Sequence, residues 1–362
     1  MRLLIWDLPT RLFHWLLVGC VGFCALSGFL LPDTWFGWHF LCGYGIGLLL
    51  LFRAVWGLLG PEHSRWTSFP PVPSAIIAHV KSLLTAKPHR SLGHNPAGGA
   101  MIHALLATLT GLVVTGLIVL GGEAKQGPLA ALVPFATGIA VKELHEFLAD
   151  VILLLAALHV GGVLVESRLL RENLILTMID GHTAAAPGTP PPRPRSRHAL
   201  AVLGGVTVLM GLGVAGLERL PVLGWRDVAF PAAYAKECGA CHNAYHPSLR
   251  PAAAWASVMS HLPDHFGEDA SLPAAATSDL TAWLTANAAE TWDTEAANRL
   301  RAVSATEPGR ITATPWWKRK HRHISDTVFQ QKSIKSRANC TACHQDAERG
   351  IFAVQAISIP KP

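Results

Sequence analysis

Five apolar segments constrain this chain more than any other feature, because each approaches the roughly 20 residues that a helix needs to cross a bilayer. They cover about residues 12–31, 39–60, 100–121, 144–165 and 199–217. Half of the 362 residues are hydrophobic. We therefore expect an all-α, integral membrane protein whose helices are of spanning length.

The division of the chain into domains follows from where this apolar character stops. The stretch GHTAAAPGTPPPRPRSRH, residues 181–198, is rich in Pro, Ala and basic residues, which indicates a flexible linker. After about residue 220 charges become frequent and apolar runs shorten. We predict a four-helix transmembrane bundle in 1–180, the linker in 181–198, a fifth transmembrane helix in 199–220 as a tether, and a small, mostly α-helical soluble domain in 221–362.

The distribution of positive charge predicts the orientation in the membrane. The connections 61–99 and 166–198 are rich in Lys and Arg, whereas 32–38 has none and 122–143 has only two. Since cytoplasmic loops carry the excess of positive charge, we expect the N-terminus and the linker in the cytoplasm. Five crossings then place the C-terminal domain in the periplasm, at a bacterial inner membrane. The first segment lacks a clear cleavage site, so we interpret it as a retained helix rather than a signal peptide.

The strongest motif is a duplicated Cys-x-x-Cys-His, present as CGACH and as CTACH. Two thiols three positions apart can bond both vinyl groups of one porphyrin, and the adjacent histidine is then the proximal iron ligand. A Cys₄ zinc ribbon and a thioredoxin-type pair are the alternatives. The histidine at the same place in both copies favours two covalently attached c-type haems. Their residues would be Cys238 and Cys241 with His242, and Cys340 and Cys343 with His344.

Each of these irons needs a sixth ligand unless it stays open. The soluble domain contains a single methionine, Met259, so at most one haem can be His/Met. Two haems with two histidines each is the simplest use of the remaining histidines. These are His246, His261, His265, His321 and His323.

Four histidines lie in or beside the apolar segments at matched depths. His145 and His159 are fourteen residues apart, close to four turns, so both rings leave one face of a helix. His14 lies near the cytoplasmic start of the first segment and His39 near the outer start of the second. An ionisable group inside a bilayer is a functional-site hypothesis. Pairing by depth gives His14 with His159 and His39 with His145, which predicts two bis-histidine b-type haems inside the bundle.

Other residues of the apolar segments have weaker interpretations. Arg53 follows the histidine of the second segment by fourteen residues and is a candidate for neutralising a haem propionate, with a snorkelling arginine as the alternative. His103 begins the third segment and is expected to face an interface or a quinone pocket, with substitution for His14 as the alternative. Cys20, Cys24 and Cys42 are interpreted as small buried hydrophobes.

Four stretches of the first half match a known family. They are FHW at 13–15, WHFLCGYGIGLLLLFRAVWG at 38–57, GHNPAGGAM at 93–101 and LHEFLADVILLLAALHV at 144–160. Through them, residues 1–180 resemble the bacterial cytochrome b561 family, which includes the b-type subunits of nickel hydrogenases. The resemblance implies four spans and two b haems, with ligands at His14, His39, His145 and His159.

The C-terminal part carries CGACHNAYHPSLRPAAAW, LPDHFGEDASL, ITATPWWKRKH and RANCTACHQDAERGIF. With these stretches, residues 228–360 resemble the dihaem cytochrome c family, often called DHC. The resemblance implies His265 and His321 as the distal ligands. His323 is a near neighbour of the second, and His246 stands where the family usually lacks a histidine. Either distal histidine could serve either c haem.

The two resemblances together imply a cytochrome b561–DHC fusion that transfers electrons between the membrane quinone pool and periplasmic carriers, through two b-type and two c-type haems. The implied activity is that of a quinol:cytochrome c-type oxidoreductase, and the acceptor expected by analogy is a soluble periplasmic c-type cytochrome. A homodimer remains open, and no nucleic-acid partner is expected. The alternatives are superoxide or ferric reductase or oxidase-type activity, and a non-catalytic electron-transfer subunit or haem sensor.

The charge of the soluble domain is uneven. Residues 264–295 hold seven acidic residues and no Lys or Arg, whereas 299–337 hold ten basic residues against Glu307 and Asp326. The cluster KRKHR at 318–322 could neutralise haem propionates, face anionic lipid or steer an acidic partner. A merely solvated face is the alternative.

Overall fold

The protein is mostly helical in the computed structural model, which describes residues 2–86, 90–301 and 310–360. Its longer helices, numbered in chain order among the described residues, are α1 Leu8–Phe29, α2 Phe36–Leu59, α3 Pro73–Leu84, α4 Pro96–Gly122, α5 Phe135–Leu170 and α7 Ala199–Leu217. The shorter ones are α6 Leu174–Asp180, α8 Ala232–Cys238, α9 Ala252–Ser260, α10 Ala274–Ala286, α11 Glu295–Leu300, α12 Pro315–Lys320 and α13 Asp326–Phe329. Strands β1 Arg2–Leu4 and β2 His182–Ala184 pair antiparallel.

The five predicted apolar segments are the helices α1, α2, α4, α5 and α7, and each is long and apolar enough to span a membrane. The largest difference from the sequence expectation is α5, which begins at Phe135, nine residues before the apolar run. The added residues include Ala140, Lys142 and Glu143, all of which tolerate a helix well. The helix therefore extends beyond its apolar part.

Two compact units make up the chain, and neither is continuous in sequence. The first contains residues 1–116 and 142–215, and the second contains residues 117–141 and 216–362. In the first unit, α1, α2, α4 and α5 form a four-helix bundle around Ile46, Leu109 and Ile152, with Leu17 packed against them. Helix α7 keeps its apolar side chains exposed, Leu209 at 70% for example, as expected of a lipid-facing tether.

The segment 181–198 is held in place over much of its length, which differs from the flexible linker expected from its composition. Its first residues form β2, which pairs with β1. Further on, the Arg193 N–H donates to a carboxylate oxygen of Glu62 at 2.9 Å. The Ser196 N–H donates to the Leu59 carbonyl at 2.7 Å. Proline has no backbone N–H, but it restricts the chain to an extended conformation before any contact forms. A proline-rich segment therefore loses little conformational entropy when it packs against the rest of the first unit.

The second unit has several small cores rather than one large one. One core gathers Tyr234, Trp255 and Leu284, and another gathers Leu249 and Trp317 with neighbouring apolar residues. These cores hold the short helices α8 to α13, which are too short to be stable alone. The two Cys-x-x-Cys-His motifs lie at the end of α8 and in a short 3₁₀ turn that begins at Cys340.

The connection between α4 and α5 belongs to the second unit and is fixed there by a buried ion pair. The Lys125 ammonium lies 2.8 Å from a carboxylate oxygen of Asp293, and its side chain is only 2% exposed. The same carboxylate accepts the Phe135 N–H at 2.8 Å. Lys125 also donates to the Val133 carbonyl at 3.0 Å. The buried ammonium group of Lys125 and its contacts with Asp293 and Val133 thus hold the connection in place.

We expect Asp293→Asn to loosen the segment 117–141, because it leaves the buried ammonium of Lys125 without its counter-charge. Removing one partner of a buried pair costs about 3–5 kcal/mol, so amide hydrogen exchange in this segment should accelerate by roughly 100- to 5,000-fold. Lys125→Met should have a smaller effect, since Asp293 is 31% exposed and can be solvated. Asp227→Asn, at an exposed position of the same unit, is the control. Equal exchange in Asp293→Asn and the control would contradict this role.

Candidate haem-binding sites

His39 of α2 and His145 of α5 face each other inside the four-helix bundle. Their ring centroids are 6.4 Å apart, with an angle of 68° between the ring planes. A bond from a metal to an imidazole nitrogen is about 2 Å long, and a ring centroid lies about 1 Å beyond the nitrogen. Two imidazoles on opposite sides of one iron therefore place their centroids about 6 Å apart. The pair fits a bis-histidine haem.

Hydrogen bonds on the far side of each ring fix which nitrogen faces the gap. Nδ1 of His39 lies 2.9 Å from the hydroxyl of Ser27, which itself donates to the Phe23 carbonyl at 2.8 Å. Nδ1 of His145 lies 2.9 Å from the hydroxyl of Thr115, which donates to the Gly111 carbonyl at 2.7 Å. Because each hydroxyl has given its proton to a carbonyl, it accepts from Nδ1–H. Both rings then keep a bare Nε2, the form that binds a metal.

The packing beside His145 leaves little spare room. A Cβ placed on Gly116 would lie 3.2 Å from Cε1 of His145, which is closer than a side chain normally tolerates. The glycine therefore allows the ring to lie close to α4. On the other side, Gly28 stands 3.8 Å from Cε1 of His39 by the same measure, an ordinary contact.

His14 of α1 and His159 of α5 come within electrostatic range of each other at the opposite end of the same bundle face. Nδ1 of His14 is buried and has no hydrogen-bond partner among the residues that the structure describes. Since an unpaired buried polar atom is costly, this ring suits a partner that is not part of the polypeptide. Of the two membrane pairs predicted by depth, His39 with His145 is the one for which the described residues show a ring-to-ring contact.

Arg53 is buried beneath the segment that follows α2. Its residue exposure is 5%, its Nη1 donates to the Ser64 carbonyl at 2.9 Å, and its guanidinium lies 4.1 Å from the centroid of the Trp66 ring. A buried cation in this place is compatible with the predicted role opposite a propionate.

An aromatic cluster next to Arg53 contains two further histidines. The His94 ring packs at a centroid distance of 4.5 Å against both Trp6 and Phe69, tilted by 51° and 58°. Burial lowers the pKa of His94 to about 3, so the ring is neutral at physiological pH. His103 packs at 5.5 Å from Phe69, and its Nδ1 bonds the Gly99 carbonyl at 2.8 Å. His94 was not assigned a role from the sequence, because its burial depends on the loop fold.

The second unit contains two more opposed imidazole pairs. The ring centroids of His242 and His265 are 6.2 Å apart at 27°, and those of His321 and His344 are 6.1 Å apart at 70°. Each pair joins the histidine of one Cys-x-x-Cys-His motif to one of the two distal histidines implied by the family resemblance. The structure therefore brings His265 beside His242 and His321 beside His344.

Local contacts orient the rings of these pairs as well. Nδ1 of His242 bonds the Asn243 carbonyl at 2.7 Å, and Nδ1 of His321 bonds the Trp317 carbonyl at 2.9 Å. A carbonyl only accepts, so both Nδ1 atoms carry the proton and Nε2 is bare. Trp317 also stacks on His321 at 4.1 Å and 14°. Burial, with a smaller contribution from His321, lowers the pKa of His344 to about 4, which keeps its ring neutral.

The remaining residues considered as ligands make other contacts. His246 is 2% exposed, and its Nδ1 lies 2.7 Å from the Ser248 hydroxyl. Nδ1 of exposed His261 lies 2.8 Å from the Ser257 carbonyl. The Nε2 of exposed His323 accepts from Nε of Arg322 at 2.9 Å. Met259 is part of the core around Trp255. None of these four belongs to the predicted ligand set.

None of the four motif cysteines forms a disulfide. Burial raises the pKa of Cys238 and of Cys340 to about 11 in each case. Among the described residues, no group of three His, Cys, Asp or Glu side chains is arranged to hold a metal ion by itself. A Cys₄ zinc ribbon would bring four cysteines to one point, so this alternative is disfavoured.

Three residues near the sites were missed by sequence reasoning. Ser27 and Thr115 contact histidines on other helices, and a contact between helices leaves no signal in local spacing. Arg250 is 7% exposed and lies close to Tyr234 and Tyr245. Burial lowers the pKa of Arg250 to about 10, so it remains a cation. Only a basic residue inside the otherwise apolar stretch LRPAAAW hints at its burial.

Two family models match the chain in the regions where these pairs lie. Residues 5–181 match the family described as prokaryotic cytochrome b561, and residues 234–352 match the family described as dihaem cytochrome c. The first half is also similar to two curated proteins. The probable Ni/Fe-hydrogenase B-type cytochrome subunit of Cupriavidus necator is 26% identical over 49% of this chain and 85% of that protein. The probable Ni/Fe-hydrogenase 1 B-type cytochrome subunit of Escherichia coli is 23% identical over 49% and 89%.

Among solved structures, the C-terminal part is similar to two dihaem cytochromes. The diheme cytochrome c from Rhodobacter sphaeroides is 42% identical, covering 34% of this chain and 98% of that chain, with a TM-score of 0.30. The diheme cytochrome type c from Shewanella baltica is 32% identical, covering 36% and 95%, also with a TM-score of 0.30.

The class of protein is therefore defined: this is a multi-pass membrane protein of electron transport that uses haem b and haem c. The chain belongs to the prokaryotic cytochrome b561 family through residues 5–181 and to the dihaem cytochrome c family through residues 234–352. The family assignment and the all-α fold class predicted from the sequence are both confirmed.

We expect Thr115→Val to weaken retention of a b-type haem, because it removes the acceptor that holds Nδ1–H of His145. Loss of such a supporting hydrogen bond costs about 10- to 100-fold in metal affinity. The measurement is the rate of haem loss to excess apomyoglobin, followed in the b absorption bands. Thr110→Val is the matched control, since its exposed hydroxyl bonds only the Leu106 carbonyl of the same helix. Equal haem loss in both variants would contradict the role of Thr115.

Proposed function

We propose that this protein carries electrons across the membrane between the quinone pool and soluble electron carriers, using two b-type and two c-type haems. Four histidine pairs would hold the irons: His14 with His159, His39 with His145, His242 with His265, and His321 with His344. When bound, each haem supplies one-electron iron chemistry. The covalent attachments would be at Cys238, Cys241, Cys340 and Cys343, and Arg53 would bind a propionate.

One observation supports this proposal most strongly, namely the repeated spacing of opposed imidazole rings. The three measured centroid distances are 6.4, 6.2 and 6.1 Å, all close to the separation needed across one iron. Rings that already stand at this distance need little rearrangement when the iron changes oxidation state. Such sites suit outer-sphere electron transfer, in which no substrate binds the metal.

The chain's own residues would keep these rings rigid and neutral. Hydrogen bonds from Nδ1 of His39, His145, His242 and His321 hold the tautomer that leaves Nε2 for the metal. Burial lowers the pKa of both His321 and His344, so protons do not compete for Nε2 near neutral pH. The stacked ring of Trp317 limits rotation of His321. These constraints favour fast transfer by lowering reorganisation.

The opposed histidine pairs also bear on the alternative functions that the sequence left open. Superoxide chemistry by binding at an iron would need an open position, and the opposed pairs argue against one. Outer-sphere reduction of a ferric chelate needs no open position, so a direct assay with a ferric chelate distinguishes that alternative. A non-catalytic electron-transfer subunit is the second candidate, because the similar proteins of the first half are named as cytochrome subunits of hydrogenases. Quinol oxidation by the purified chain alone would separate the main proposal from this candidate.

The direct test is anaerobic rapid mixing of the oxidised, full-length protein with a ubiquinol analogue. We expect the b bands to be reduced first and the c bands to follow within the turnover time. His14→Ala and His159→Ala should abolish this reduction by quinol, because each removes a proposed ligand. His323→Ala, which changes an exposed histidine, is the control. Failure of quinol to reduce either set of bands, while a periplasmic donor reduces c and then b, would overturn the proposed direction.

A second prediction tests the ligand pairs of the soluble part. Removing a distal ligand opens the iron, so His265→Ala and His321→Ala should each create one c-type haem that binds carbon monoxide after reduction. The double variant should bind twice as much. His323→Ala and His246→Ala should bind none beyond the wild-type level. Carbon monoxide difference spectra provide the measurement, and binding by His323→Ala instead of His321→Ala would exchange the two assignments.

A further inference from the structure

A strongly basic surface covers one side of the second unit. It consists of seven exposed residues between 318 and 337, namely Lys318, Arg319, Lys320, Arg322, Lys332, Lys335 and Arg337. One acidic residue, Asp326, lies in the same stretch, and its carboxylate accepts a hydrogen bond from Arg337. Glu295 compensates a second charge, since it lies 3.1 Å from the Lys320 ammonium. Most of the positive charge on this basic surface is therefore directed to solvent.

Part of the basic surface lies beside one histidine pair. Lys320 and Arg322 flank His321 in sequence, and Trp317 stacks on the ring of His321 at 4.1 Å. The Arg337 guanidinium lies 5.8 Å from the centroid of Trp317 and 5.4 Å from that of Phe329. These three charges thus belong to the surroundings of the His321–His344 pair, and the other four are near them in sequence.

The other pair of the same unit has the opposite environment at its surface. Asp264, Glu268 and Asp269 are exposed and lie next to His265 in sequence. An acidic molecule that approaches the second unit is repelled there and attracted at the basic surface. Glu307 lies outside the described residues and does not enter this argument.

The side chains of the basic surface are open to solvent, so they can meet opposite charges on another protein. We propose that an acidic, one-electron carrier protein docks on this surface, so that electrons leave the chain at the His321–His344 pair. The inference rests on the proposed function, since it assumes that current runs outward.

The step is a single electron transfer with no bond made or broken. One electron passes from the ferrous chain to the oxidised carrier, and no proton or third reactant is needed. Plastocyanin, an acidic copper protein, serves as the probe, because its Cu(II) becomes Cu(I) with a visible loss of colour. Full-length protein in phosphatidylcholine nanodiscs is reduced with dithionite, freed of reductant, and mixed with Cu(II) plastocyanin at several salt concentrations.

We expect a second-order rate that falls at least tenfold between about 10 and 150 mM salt, as steering by exposed charges requires. Lys318→Glu and Lys332→Glu should each slow the reaction at low salt about threefold, and the double variant about tenfold. Lys236→Glu is the matched control, because this lysine has an 82% exposed side chain and lies beside the other motif. It should change the rate less than twofold.

Equal slowing by the control and by the other variants, or no slowing by the double variant, would overturn the docking site. Contact of the basic surface with lipid would also overturn it. In that case nanodiscs containing phosphatidylserine would slow oxidation by ferricyanide in the wild type and not in the double variant, with plastocyanin rates unchanged. Because electrons come from dithionite, failure of quinol oxidation would not affect this result, and the two proposals fail separately.

Discussion

The separation of about 6 Å between opposed imidazole rings is the constraint on which the rest of this structure depends. It is met between two transmembrane helices by His39 and His145, and among short helices and turns by the two pairs of the second unit. Both environments must be rigid to within a fraction of an ångström. In the bundle, continuous helices supply that rigidity. In the second unit, buried Trp and Tyr side chains supply it, because its helices are too short to do so alone.

The hydroxyl groups that orient the membrane histidine rings belong to residues of the transmembrane helices. Ser27 and Thr115 first satisfy their hydroxyl protons on carbonyls one turn earlier and then accept from an imidazole. A serine or threonine can do this inside a membrane without a buried unsatisfied group. A backbone carbonyl orients the ring of His321 in a similar way, since His321 donates to the carbonyl one turn earlier, at Trp317.

Much of the fold and the motif residues could be predicted because apolar length and Cys-x-x-Cys-His are local signals. The nearness of His39 to His145 was also predictable, since depth in a bilayer orders residues along one axis. No such axis exists in the soluble part, so the neighbours of His242 and His344 needed the tertiary structure. The contacts that residues 181–198 make with the first unit were not predictable, because composition reports the stiffness of a chain but not the surface that it meets. The Lys125–Asp293 pair was not predictable either, since its two residues are far apart in sequence. The burial of Arg250 depends on the tertiary core around it.

The interleaving of the two units in sequence has a consequence for biosynthesis. Lys125 and Asp293 are 168 residues apart, and translation proceeds at about 5–20 residues per second. The connection between α4 and α5 therefore waits roughly 10–30 s for its partner after it leaves the ribosome. During that interval a lysine destined for burial remains in water, and the helices on either side can already insert. Completion of the second unit thus comes late in biogenesis, and release of the nascent chain before its C-terminal part is made would leave this loop unfinished.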